Sequence, residues 1–434
     1  MTKPTQADAT QLIRPLRGRL RRLLQELVRI SSVALLTGGH ETPAQHALAA
    51  FFREQGIRPE LYDTAFILQS SLPPSVHNQV RRYKSYRGRK NLSVRIAGSG
   101  RGKSLLLNGH IDTVPPGTAP WAHSPWSGRF SRGRVEGLGS FDMKGGLVAN
   151  AAVVCALHRA QLRPGGDLLL ESVVDEEWGG GGGTIAARLR GDTADACLIP
   201  EGTQLEIYRA TRGGFVVDLL VEGGDPSAYF SSGQVLSPAL PLGRLLGWVE
   251  KLSRRRAKLK PRGAYRTFSD PIPVQVLAIE ANRCDPQIPL SVPSHGIVRL
   301  YMQFLPAEDV DQVIADTKIN LEAFCAADPF FRKWPVRWTP LIGGPLYGHE
   351  IAPHHPWLRC MEQSAATVLG KSVVTTAAPY PCDAGLIHRD FGIPTLLFGP
   401  KGAGAHNPDE WVDFESVMQT AEVLLTAAMA WTGA

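Results

Sequence analysis

The sequence predicts an α/β protein in which a mixed-sheet domain is interrupted by a smaller α+β domain, and three observations carry that expectation. At 434 residues the chain exceeds what one hydrophobic core usually organises. Short apolar runs such as LLLESVV at 168–174 and ACLIP at 196–200 lack the polar alternation of half-exposed strands, and helical stretches separate them. From about Arg209 the texture changes to GFVVDLLVEG, VQVLAIEAN and GIVRLYMQF, strands with two helix-period stretches among them. The expected division is 1–208 with 346–434 for the first domain, and 209–345 for the insertion.

Composition narrows the class. Residues are 43% hydrophobic and 20% charged, the balance of an ordinary globular protein and unlike a disordered or fibrous chain. The net charge of +7, from 47 basic and 40 acidic residues, favours anionic solutes without demanding nucleic acid. Two basic runs, RRYKSYRGRK at 81–90 and RRRAKLKPR at 254–262, have no nucleic-acid module around them and read as solvated faces. The six cysteines are scattered without a CxxC pair, which predicts reduced thiols in a cytoplasmic protein and no thiolate zinc site. No apolar run approaches a membrane span, and no signal-like segment follows the start.

Taken in order, the amphipathic stretch Ala9 to Ile30 predicts a first helix. Thr42, Pro43 and Gly56 predict a second, as cap, first-turn proline and C-terminal stop. Ser104 begins a strand, SLLLNGHIDTVP, that ends in polar groups. Arg134 to Ser140 leads into FDMKGG, and the small residues from Gly146 to Leu162 predict a packed helix. The run after Asp167 is a buried strand closing in DEEWGGGGG, whose glycines serve either tight packing or a mobile loop. ACLIP then delivers Glu201. In the insertion, Leu240 to Arg255 and Ala307 to Ala326 carry helical spacing. A loop at 343–355 rich in Gly, Pro and His returns the chain, and Trp357 to Leu369, Ile393 to Phe398 and a helix from Glu415 complete the first domain.

Open α/β sheets place their chemistry beyond strand ends, and that is where the acids and histidines fall. Glu176 and Glu177 are neighbours, so in an extended chain they point to opposite sides and take separate jobs. His110 and Asp112 share a face, which lets the aspartate hold the second imidazole nitrogen. Asp142 follows a glycine-rich turn, Glu201 ends a strand, and His406 lies in GPKGAGAHNPDEWV. Nitrogen and carboxylate donors without thiolate suit a pair of zinc ions, with manganese or cobalt also compatible. Two divalent ions are neutralised by three carboxylates and a hydroxide, and they would share Asp142 at a spacing of about 3.5–4 Å. Glu176 is left over as general base. Isolated histidines such as His46, His77 and His158 read as ordinary surface or core groups.

The strings NGHIDTVP, GLGSFDMKGG, DEEWGG, PEGT and FGPKGAGAHNPDEWV, in this order and spacing, resemble the M20 metallopeptidase family of acetylornithine deacetylase, succinyl-diaminopimelate desuccinylase and aminoacylase. The resemblance spans nearly the whole chain. It implies a dinuclear zinc hydrolase that cleaves an amide bond of a small molecule, with a lid domain that forms a homodimer. It also implies that His110 and Glu201 hold one zinc, that Glu177 and His406 hold the other, and that Asp142 bridges. Asp112 would orient His110, and Glu176 would be the base. Glu201 resembles the deacetylases, whereas carboxypeptidase-like members tend to carry Asp there.

The lid departs from the family pattern twice. Ser227 stands where family lids carry a histidine that reaches the neighbouring subunit's site. Many members place an asparagine shortly before a VP pair and an arginine ten residues after it, to hold a substrate carboxylate. Here Leu290 and Gln303 occupy those places, and glutamine cannot supply an arginine fork's charge. Arg212, His295 or Arg299 would have to compensate, or they are ordinary strand surface. The YRGRKNL string resembles deacetylase-like members, including formylaminopyrimidine deformylases, whose substrates lack a carboxylate. The reading that follows is N-deacylation of a small molecule, with a dipeptidase or carboxypeptidase, a deformylase-like enzyme and a catalytically silent binding protein as alternatives.

Overall fold

The structure is a computed structural model that describes residues 6–77, 79–80, 85–222, 238–270, 272–281, 293, 295–341 and 344–433. Ser227 and Leu290 lie outside the described residues, as does Cys284. The other five cysteines are free thiols. The chain divides into two compact units, one comprising the described parts of Met1–Thr211, His349–Ala378 and Cys382–Ala434, the other Arg212–Gly348 with Pro379–Pro381.

An eight-stranded mixed sheet organises the first unit, in the order Thr375–Thr376, Ile207–Tyr208, Thr395–Leu397, Cys197–Ile199, Leu105–His110, Leu168–Val173, Lys90–Ile96 and Glu60–Asp63. Leu168–Val173 is buried along its whole length, parallel to Leu105–His110 on one side and antiparallel to Lys90–Ile96 on the other. Both of its faces are covered, which is why its sequence shows no alternation. The helix Gly145–Arg159 is buried over all but its last turn, and its small side chains let the C-terminal helix Phe414–Thr432 lie against it. By length and composition the segment Ser140–Arg159 could cross a membrane, but it is almost wholly buried, as in a core helix.

Local chemistry corrects several expected boundaries. The N-terminal stretch forms two helices, Gln6–Ile13 and Arg17–Arg29, because Pro15 lacks the N–H that would carry one helix through the intervening turn. Helix Thr42–Glu54 is preceded by Glu41, so Thr42 is the first helical residue and not the cap; its hydroxyl donates to the Gly88 carbonyl at 2.6 Å. Asp413 caps the last helix by accepting from the Ser416 N–H at 2.7 Å. A helix at Asp383–Phe391, stopped by Gly392 at φ +68°, was not expected.

The second unit holds a four-stranded antiparallel sheet ordered Val274–Ala281, His295–Phe304, Gly213–Glu222 and Val336–Pro340. Phe215, Val217, Leu219 and Val221 alternate inward and meet Leu245, Trp248 and Leu252 of helix Ala239–Arg256. Helix Val310–Ala327 begins at Asp309, whose carboxylate accepts from the Gln312 N–H at 3.1 Å. Strand Val336–Pro340 and the short helix Pro329–Lys333 add to the expected elements.

Candidate metal centre

Strand Leu105–His110 ends by delivering a buried imidazole. His110 Nδ1 lies 3.0 Å from the main-chain oxygen of Asp112. A carbonyl only accepts, so Nδ1 carries the proton and Nε2 keeps a free lone pair. The carboxylate of Asp112 is farther away, at 3.6 Å. This corrects the expected carboxylate–imidazole bond. The Asp112 carboxylate instead accepts from the Glu176 and Glu177 N–H groups at 3.3 and 3.2 Å, because the strand has ended and the chain turns at that point.

Glu176 and Glu177 do not lie in extended chain as expected. Asp175 adopts φ +72° and starts a 3₁₀ turn over Glu176–Trp178, so the two carboxylates diverge around a turn and not across a strand. Glu177 Oε2 reaches His406 Nε2 at 2.9 Å. Glu176 Oε2 stands 4.0 Å from His110 Nε2, while its Oε1 accepts from the Asp383 N–H at 3.2 Å. Glu201 Oε1 is 3.6 Å from the same His110 nitrogen.

Asp142 sits between the two histidines, with Oδ1 3.2 Å from His110 Nε2 and Oδ2 3.1 Å from His406 Nε2. Donor atoms of His110, Asp142 and Glu177 all fall within 4.8 Å of one another. Glu410, which sequence reasoning did not single out, holds the turn before Asp142. Its buried carboxylate accepts from the N–H groups of Gly139, Phe141 and Asp142 at 2.8, 2.7 and 3.0 Å. The signal was its place four residues after His406 in the same string.

Buried carboxylates face one another here, and burial pushes Glu201 up to about 8 and Glu176 well above the usual carboxylate range. The neighbouring charge of Glu177 raises His406 to about 12. His110 is also raised: burial opposes its charge, but Asp142, Glu176 and Glu201 outweigh that. The clustered carboxylates thus favour positive charge at both rings. A divalent cation pair would supply it better, and the oxygen and nitrogen donor set with no thiolate fits such ions.

The glycines after Trp178 serve packing. A side-chain carbon at Gly180 would overlap Asp383, one at Gly182 the Tyr86 ring, and one at Gly183 the Val174 carbonyl.

In the second unit Arg212 and Gln303 come together. Arg212 Nη1 donates to Gln303 Oε1 at 2.5 Å and Nη2 donates to the Asp270 carbonyl at 2.9 Å. Gln303 Nε2 donates to the Tyr301 hydroxyl at 2.8 Å. His295 is exposed at the opposite end of the strand His295–Phe304, roughly 26 Å from Gln303 by strand rise, and cannot share a small ligand with it. Arg299 is closed onto Asp218 by two bonds of 2.8 and 2.9 Å.

A family model described as peptidase family M20/M25/M40 matches residues 106–430. The chain is similar to an N-formyl-4-amino-5-aminomethyl-2-methylpyrimidine deformylase of Halalkalibacterium halodurans, 27% identical over 350 residues that cover 76% of this chain and 79% of that one. An acetylornithine deacetylase of Salmonella arizonae is 27% identical over 346 residues, covering 78% and 83%. Among solved structures, a di-peptidase of Saccharomyces cerevisiae shares the fold, with a TM-score of 0.73 at 15% identity over 99% of both chains. The resemblance read from the five strings and the mixed-sheet fold class both hold. This chain belongs to peptidase family M20/M25/M40, whose hydrolases act on amide and peptide bonds.

Proposed function

We propose that this protein is a dinuclear zinc amidohydrolase that removes an acyl group from the nitrogen of a small molecule. The observation that carries the reading is Asp142, which turns one carboxylate oxygen to each of two histidines while Glu176 stays 4.0 Å from His110. His110 with Glu201 would hold one ion, and Glu177 with His406 the other. Such ions would polarise the scissile carbonyl and supply a nucleophile near neutral pH, with cobalt or manganese able to take the same donors. Glu176 takes the proton of the attacking water and passes it to the leaving nitrogen. The Asp383 N–H on its Oε1 fixes the carboxylate's direction for that transfer. Asp112 acts on the site through its main-chain oxygen, which fixes the His110 tautomer, and through its carboxylate, which holds the Glu176–Glu177 turn.

Deacylation is favoured over dipeptide cleavage because Gln303 stands where the resemblance expects a carboxylate-binding arginine. Arg212 beside it already directs two nitrogens at neutral acceptors. Glutamine and a partly engaged arginine suit a polar, uncharged or weakly anionic group, as on the deformylase's pyrimidine. We further propose a cytoplasmic homodimer formed through the second unit. Its strand Val274–Ala281 is a sheet edge with Val276, Leu277 and Ile279 exposed at 38%, 53% and 55%.

The test is a screen of N-formyl and N-acetyl amines against free dipeptides, with chelator-treated enzyme as control and elemental analysis alongside. Cleavage of the acyl amines, lost on chelation and restored by zinc, is expected. Turnover of dipeptides alone would move the reading to a peptidase, and failure to take up a transition metal would end it.

A further inference from the structure

We propose that Tyr86, Arg89 and Asn91, all from the YRGRKNL string, form a positioning clamp that fixes the turn carrying Glu176 and Glu177. The inference rests on the reading of Glu176 as base, and it gives that string a physical role. Asn91 lies on the strand Lys90–Ile96, beside the strand Leu168–Val173 that leads into the turn. Its Oδ1 accepts from the Val174 N–H at 3.1 Å, and its Nδ2 donates to the Gly183 carbonyl at 2.9 Å. Val174 and Gly183 are the two ends of the excursion that carries both glutamates. One buried amide therefore staples the loop shut at its neck.

Arg89 acts inside the loop. Its Nη2 donates to Asp175 Oδ1 at 3.2 Å, and its Nε donates to Glu41 Oε2 at 3.0 Å, with a second, shorter Arg89–Glu41 bond beside it. Asp175 is the left-handed residue that starts the 3₁₀ turn, a conformation that a non-glycine residue keeps only when its surroundings hold it there. Its other oxygen accepts from the Gly182 N–H at 3.1 Å, and its carbonyl accepts from the Gly180 N–H at 2.9 Å. The guanidinium thereby links the helix start at Glu41 to the first residue of the turn.

Tyr86 completes the clamp. Its buried ring lies where a side chain at Gly182 would be, and the Arg89 guanidinium sits 5.7 Å from the ring centroid. The three residues thus reach the neck, the entry and the exit of one loop. The hydrogen bonds of Asn91 and Arg89 run to the loop, to Tyr62 and to Glu41, so both act on Glu176 and Glu177 through the turn.

The test compares Asn91→Ala with Val423→Ala, a buried control in the C-terminal helix, on otherwise intact protein. Hydrogen–deuterium exchange is read on metal-free protein, and kcat, KM and thermal midpoint on the zinc-loaded enzyme with its best acyl amine. Asn91→Ala is expected to speed exchange selectively at 174–183 and to lower kcat by roughly 10- to 100-fold with KM little changed, the size of effect that a small misplacement of a reacting group produces. Val423→Ala, with a comparable fall in midpoint, should leave kcat within about twofold and exchange at 174–183 unaltered. Arg89→Lys keeps the buried charge and loses the fork; it serves if Asn91→Ala does not fold, and should show both effects to a smaller degree. Wild-type exchange at 174–183 in these variants, or faster exchange with wild-type kcat, overturns the clamp. If Glu176→Gln turns over at the wild-type rate, the base reading fails, while the exchange measurement still judges whether the string holds the loop.

Discussion

The two units use polar side chains differently. In the first, separate carboxylates converge on the backbone of turns: Asp112 holds the N–H groups of Glu176 and Glu177, and Glu410 those of Gly139, Phe141 and Asp142. In the second, polar side chains close local pairs, as Arg299 does with Asp218 and Arg256 with Glu308. A turn held from several sides cannot relax when one group changes. A local pair can be lost with consequences confined to its neighbourhood.

The sharpest way to break this contrast is at Glu176 and Gln303. Glu176→Gln keeps the shape and the acceptor for the Asp383 N–H but removes the proton-accepting charge. Turnover should fall by about 10²–10⁴-fold with both metal ions retained. Gln303→Ala in the second unit should, on the proposed reading of Gln303 as a binding residue, act mainly on KM with kcat within a few-fold. Steady-state kinetics with elemental analysis checks both. A Gln303→Ala enzyme with a kcat as low as that of Glu176→Gln would erase the distinction.

A smaller effect in the first unit is read by pH. His349 is buried in the first unit, its Nε2 donating to the Thr395 carbonyl at 2.8 Å and its Nδ1 2.9 Å from the Thr211 hydroxyl. Burial, then repulsion from His388, presses it down to about 3. Above pH 6.5 the ring is neutral both folded and unfolded. As pH falls below that, the unfolded chain takes a proton that the folded ring refuses, so stability is lost at roughly 1.4 kcal/mol per pH unit down to about pH 3. His349→Asn should therefore lose about 2 kcal/mol less than wild type between pH 7 and pH 5 in urea unfolding.

The same contrast governs what was legible in the sequence. Leu168–Val173 and its terminal acids could be read because a strand buried on both faces leaves a continuous apolar run and its polar end stands out. His110, Asp142, Glu177 and His406 could be read because they sit in strings with glycine punctuation. Glu41 could not, and Glu410 offered only its place in the His406 string, since the value of both lies in which distant backbone or guanidinium they meet. Val336–Pro340 alternates Val336 and Trp338 with Arg337 and Thr339, but so short a run stands out as a strand only through its pairing with Gly213–Glu222. The divergence of Glu176 and Glu177 was expected from strand geometry but arises from the left-handed Asp175, which apolar patterning does not encode.

Glycine substitution gives the smallest and most local comparison. Gly182 lies in the first unit's loop, where a new methyl group would overlap the Tyr86 ring. That ring is itself buried and packed near Arg89, so it cannot swing away without disturbing the contacts on Asp175. Gly182→Ala should cost about 1–3 kcal/mol, as overpacking of a filled interior does. Gly247 lies inside helix Ala239–Arg256 of the second unit, and a methyl group there meets nothing within 4 Å. Helical backbone suits alanine, and the unfolded chain loses freedom on the exchange, so Gly247→Ala should stabilise by about 0.4–1 kcal/mol. Urea unfolding of the two variants measures both signs in one experiment. If Gly247→Ala destabilises, helix Ala239–Arg256 packs against something beyond its own unit, and the proposed homodimer would then be sought on that helix face and not on the strand Val274–Ala281.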